Sequence, residues 1–181
     1  QRSMVAGFAI GLIGVFLLLS FQFRSYVEPI VVMVVIPLAF IGAVFGHLAM
    51  GLDFTMPSMF GFVALAGVVV NNSILLVNFI KEHHATHGTV AEAAPLAARA
   101  RFRAILITTL TTLAGLLPIL TETSLQAQIL IPMVASLAFG LLASVLMVLF
   151  VVPALYAILD DFGLSTLARE RRANETAPGV A

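Results

Sequence analysis

The chain has no cysteine among its 181 residues, which excludes disulfides, thiolate metal sites and cysteine nucleophiles. Charge is scarce: 10% of residues are Asp, Glu, Lys or Arg, and the formal net charge is zero. That balance points neither to nucleic acid nor to an acidic partner. Acids and bases are missing from the middle of every long apolar run. A proton or cation pathway normally needs such groups, because a neutral amide carries no proton charge. Also missing are a nucleophile–base–acid set, a glycine-rich phosphate loop and an obvious set of metal ligands. The chain does not read as an enzyme, and no cofactor or metal is expected. It opens on Gln1 rather than methionine, which fits a segment of a longer protein. The first apolar run is too long for a typical signal peptide and lacks its cleavage pattern.

What is present in abundance is apolar surface. Hydrophobic residues make up 61% of the chain and mean hydropathy is +1.11, the composition of an integral membrane protein whose first partner is the bilayer. The expected fold is an all-α bundle of five spans, at about 3–23, 30–52, 57–80, 104–121 and 129–159. Between the third and fourth spans lies a polar cytoplasmic segment, 81–103, and after the fifth a charged tail, 161–181. The last ten or so residues of that tail read as disordered. Pro29 suits the first turn of the second helix, and Pro37 inside it predicts a kink or a rescued carbonyl. Gly42 and Gly46, like Gly7 and Gly11 in the first span, are spaced for close approach of another backbone. Gly140 and Ser144 form a similar small pair in the last span. Thr89 with Glu92 is a capping-box signature, so an alanine-rich helix is expected to start there, with a kink or late restart at Pro95. Counted by side, eight Lys/Arg (Arg24, Lys81, Arg99, Arg101, Arg103, Arg169, Arg171, Arg172) oppose one, Arg2. The positive-inside rule then puts the N-terminus outside the cytoplasm and the C-terminus inside.

Polar residues inside the spans are few and patterned. Residues 54–80 carry no formal charge yet hold Asn71, Asn72 and Asn78, and Gly67, Asn71 and Asn78 share one helical stripe. A carboxamide facing lipid lacks partners, so the stripe is expected to face other helices or a hydrated cavity, with the remaining helices gathered around it. The fourth span has threonines at 108, 109, 111 and 112, and Arg101, Thr108, Thr112 and Gly115 fall on one stripe. Membrane threonines often bond only their own preceding carbonyls, so a hydrated face competes with simple helix packing. His47 reads as an interfacial or hydrogen-bonded histidine rather than a titrating relay. His83 and His87 stand at i, i+4, but no third or fourth ligand accompanies them, and the pair reads as solvated loop. Asn71, Asn72, Asn78 and the threonines thus form either one side of a site completed by another bundle or interhelical glue.

The run GFVALAGVVVNNSILLVNFIKE, the stretch RARFRAILITTLTTLAGLLPI and the ending VVPALYAIL together resemble the resistance-nodulation-division (RND) permeases. The likeness runs from about residue 4 to about 160, takes in FRSYVEPIVVMVVIPLAFIGA, and is strongest to the C-terminal membrane half of the hydrophobe/amphiphile efflux branch. It implies a twelve-helix membrane domain in two halves, of which these five helices are the last. It also implies a proton-motive-force-driven multidrug exporter of the bacterial inner membrane, a homotrimer working with a periplasmic adaptor and an outer-membrane channel. The family's relay aspartates belong to the N-terminal half, which together with the porter region would be this chain's partner. Of the second-half relay positions, the lysine falls by motif on Asn71, with Asn72 beside it, the arginine on Arg101 and the threonine on Thr108. Asn71 is the departure: either the carboxylates pair with Arg101 or solvent, or coupling works differently. The competing reading is a non-transporting membrane scaffold whose polar seam only packs helices.

Overall fold

A computed structural model describes residues 2–87 and 89–176, leaving the side chains of 4, 85–87, 171 and 173–176 outside that description. Among the described residues six helices follow in order: α1 (Arg2–Phe23), α2 (Glu28–Met50), α3 (Met56–His87), α4 (Val90–Thr121), α5 (Leu125–Asp161) and α6 (Thr166–Thr176). The first five are long and apolar enough to cross a membrane, and no strand occurs among the described residues.

Local chemistry sets the helix ends. Pro29 sits in the first turn of α2, where its missing N–H leaves no carbonyl unmatched. Gly51, at φ 63°, ends that helix in the left-handed conformation, and Leu52 N–H closes back on His47 O at 2.9 Å. Ser124 caps α5 by accepting the Ala127 N–H. α4 does begin after Thr89, but the Thr89 hydroxyl makes no cap bond, so the expected capping box is not formed.

Two expectations need correction. The third and fourth helices are longer than the expected spans 57–80 and 104–121: α3 runs on to His87, and α4 starts at Val90 and passes Pro95 without a restart. Each of these helices has 32 residues and so extends about 48 Å, against a hydrocarbon core of about 30 Å. The tail is also helical through Thr176, further than composition indicates, because α6 is anchored at its first residue (below). Residues 177–181 lie outside the described residues.

The bundle is organised around α5, not around the polar stripe of α3. α2, α3 and α4 all pack on α5, with α2 and α3 its most extensive neighbours. Small residues let them approach: a Cβ at Gly42 would overlap Ala143, one at Gly46 the Phe139 ring, and one at Gly140 Leu65. α3 turns Leu65, Val69, Ser73, Leu76 and Ile80 into this core, and Ser73 Oγ donates to Val69 O at 2.8 Å. The opposite face therefore points away, and Gly67, Asn71 and Asn78 are exposed on this chain. α1 touches the rest lightly, and a Cβ at Gly7, Gly11 or Gly14 would meet nothing. The close backbone partner expected there is not supplied by the described residues.

Candidate functional site

The α3–α4 contact brings the predicted seam residues together. Asn71 and Asn72 from α3, with Arg101, Thr108, Thr109 and Thr112 from α4, line one open groove of about 220 Å³. Asn71 and Thr108 are exposed on it, Asn72 and Arg101 partly buried, and Thr109 buried. Seven-residue spacing puts Arg101 and Thr108 on one side of α4, two turns apart. Asn78, Thr111 and Gly115 are not part of the lining.

The threonine hydroxyls are committed locally. Thr108 Oγ1 donates to Ala104 O and Ile105 O, both at 3.0 Å, and Thr112 Oγ1 donates to Thr108 O at 2.8 Å. With their protons committed, the Thr108 and Thr112 hydroxyls can offer the groove acceptor lone pairs, while the Asn71 and Asn72 carboxamides supply both donors and acceptors. The charged donor is Arg101. Its guanidinium lies over the Phe79 ring at 3.8 Å, while its buried Nε has no hydrogen-bond partner. A buried N–H left unmatched costs about 1–3 kcal/mol, more when the group is charged. Arg101 is only partly buried and lines the open groove, so the terminal N–H groups of its guanidinium are the ones that can donate to an anionic or carbonyl oxygen arriving there. Phe79, which holds it, carries no polar signal and was not singled out from sequence.

At the arginine-rich end, a second polar cluster was missed altogether. Glu28 is fully buried: its Oε1 accepts from Thr166 N–H at 2.9 Å, Thr166 Oγ1 at 2.6 Å and Tyr156 OH at 3.1 Å. Its Oε2 has no donor in line and is matched instead by the ion pair with Lys81 Nζ at 2.7 Å. Lys81 also lies 4.9 Å from the Phe23 ring centroid. The signal available in sequence was a lone acid opening an apolar helix and a lone Tyr in VVPALYAIL. At the other end, buried His47 binds Ala43 O through Nδ1 at 3.0 Å and Ser58 Oγ through Nε2 at 2.9 Å, as a hydrogen-bonded histidine should. His83 Nδ1 engages Phe79 O at 3.0 Å; the His87 side chain lies outside the described residues.

A profile described as the AcrB/AcrD/AcrF family matches residues 1–160. The chain belongs to that family. It is thus a membrane portion of an RND permease, a family of efflux transporters. Two crystal structures of a heavy metal efflux pump, in two crystal forms, superpose on this AcrB/AcrD/AcrF-family chain with TM-scores of 0.74 and 0.72 at 25% identity. The likeness covers 84% of this chain but 15% of those chains.

Proposed function

We propose that this chain is the C-terminal membrane half of a proton-motive-force-driven exporter of the hydrophobe/amphiphile branch, and that the α3–α4 groove is its share of the proton-coupling site. The observation that carries the reading is Arg101: a guanidinium clamped on Phe79, with a buried Nε unmatched beside Asn71, Asn72 and Thr108. That arrangement suits a carboxylate presented by another bundle, which the Arg101 charge would hold ionised and release on protonation. Asn71 and Asn72 then act as neutral donors and acceptors to the same group, replacing a second cation. In this reading Arg101 alone supplies the positive charge, and the relay works with one cation where the family's drug pumps have two. Heavy metals are the cargo of the similar solved pumps; the cargo proposed for this chain is amphiphilic drugs.

The assembly that goes with this function is a homotrimer in the bacterial inner membrane, joined to a periplasmic adaptor and an outer-membrane channel. The Lys/Arg bias supports a periplasmic N-terminus and a cytoplasmic C-terminus. The test uses the full-length parent, with Asn71→Leu and Thr108→Val assayed for efflux per folded molecule. Loss of efflux with normal expression and trimer assembly is expected, because a lost membrane hydrogen bond costs only about 0.6–2 kcal/mol. Normal specific activity with lowered abundance would assign these residues to helix packing instead.

A further inference from the structure

We infer that Glu28 is a positioning residue: it locks α3, and with it the Asn71 wall of the groove, in register against α2 and the α5–α6 turn. Groups from α3, α5 and the first residue of α6 converge on its carboxylate. Lys81 comes from α3, Tyr156 from α5 and Thr166 from α6, while Phe23 of α1 lies under the Lys81 ammonium. Charged groups also stand in the turn that leads to Thr166: Asp160, which accepts from Ser165 Oγ at 2.5 Å, and Arg172, whose guanidinium lies against Gly163.

The geometry gives the lock its leverage. Lys81 is ten residues beyond Asn71, about 15 Å along the axis, and roughly 80° around it. The ion pair grips α3 from the α1–α2 side while the groove opens on the α4 side. Between those points α3 contacts the core only through apolar and small side chains, which resist separation but set rotation and sliding weakly. An ion pair whose carboxylate is fully buried is different in kind, since moving Lys81 away strands that charge. Three hydrogen bonds from Tyr156 and Thr166 hold the carboxylate, so it cannot follow Lys81 if α3 shifts. Thr166 and Tyr156 tie the same carboxylate to α5, the element on which α4 also packs. Both walls of the groove are thereby referenced to one buried group. The positioning is a matter of geometry; its bearing on transport rests on the coupling role proposed above.

The test measures the groove directly in the full-length protein, made cysteine-free elsewhere. Spin labels at Leu75→Cys and Ala104→Cys, one on each wall, report the α3–α4 distance by pulsed electron resonance. Lys81→Met is expected to broaden the distribution or shift it by at least about 1.5 Å, one residue's rise. Lys81→Arg, which keeps the cation, should restore it. Because Lys81→Met strands a buried charge, the neutral double variant Glu28→Gln/Lys81→Met serves as the folded control; it keeps an oxygen acceptor for Tyr156 and Thr166 and removes both charges of the ion pair. It too should lose the native distance. An unchanged distribution in that double variant would overturn the inference, leaving Glu28 as an anchor for α6 alone. Efflux of Asn71→Leu, measured separately, decides the coupling reading. A normal result there with a shifted distance would leave the positioning intact and remove its link to transport.

Discussion

Replacing Gly42 by alanine tests the packing that holds the groove in place. A Cβ at Gly42 would overlap the Ala143 Cβ and stand 3.1 Å from Phe139 O, well inside normal carbon contacts of about 3.5–4.0 Å. Neither neighbour is the tip of a flexible side chain, so α2 and α5 must separate. Overpacking of this kind costs about 1–3 kcal/mol, against which alanine's better helix propensity offsets about 1 kcal/mol. Gly115→Ala is the matched control, because its Cβ meets nothing within 4 Å and only the propensity gain remains. The difference between the two variants isolates the overlap, at about 1–3 kcal/mol, or a factor of about five or more in the folded ratio. Ala143→Gly should recover most of the loss when combined with Gly42→Ala, measured against Ala143→Gly alone in a double-mutant cycle. The assay is thermal denaturation of the purified full-length protein in detergent, read as folded trimer remaining by size exclusion. If Gly42→Ala proves as stable as Gly115→Ala, or Ala143→Gly gives no rescue, the α2–α5 contact is not as described.

Ser58→Ala should destabilise the protein by about 1–3 kcal/mol in the same assay, because it leaves buried His47 Nε2 without its partner. A Ser3→Cys variant should react with a membrane-impermeant thiol reagent in intact spheroplasts; labelling only after rupture would reverse the orientation. Asn71→Lys should be tolerated if an ionised carboxylate faces the groove. Without one the buried ammonium should lower folded yield, since an unpaired buried charge is strongly destabilising.

Hydropathy made the five spans readable because each membrane crossing must bury an uninterrupted apolar run, and the small-residue spacings of α2 and α5 mark real contacts. Helix length was less readable. Residues 81–87 and 90–103 lack apolar runs, yet they continue α3 and α4, since helical backbone bonds propagate through Ala, Arg and Glu as readily as through Leu. The seam residues were identifiable by stripe and motif, but not the direction they face. That is decided by which side of α3 carries Leu65, Val69, Leu76 and Ile80, a denser apolar stripe than the asparagines interrupt. The Glu28 cluster was illegible because its bonds join residues 128 and 138 positions apart, and nothing local announces them. The threonines illustrate the opposite case: their local carbonyl bonds were anticipated as one of two readings, and they coexist with a place on the groove wall.

The most direct measurement is proton movement through the full-length protein with Arg101 neutralised. In proteoliposomes carrying a pH-sensitive dye, addition of ethidium as probe should drive proton flux in the parent protein. Arg101→Gln keeps a side chain able to lie on Phe79 but removes the charge that the account assigns to holding a carboxylate across the groove. The account predicts loss of ethidium-coupled proton flux with trimer assembly intact. Normal coupled flux in Arg101→Gln would contradict it.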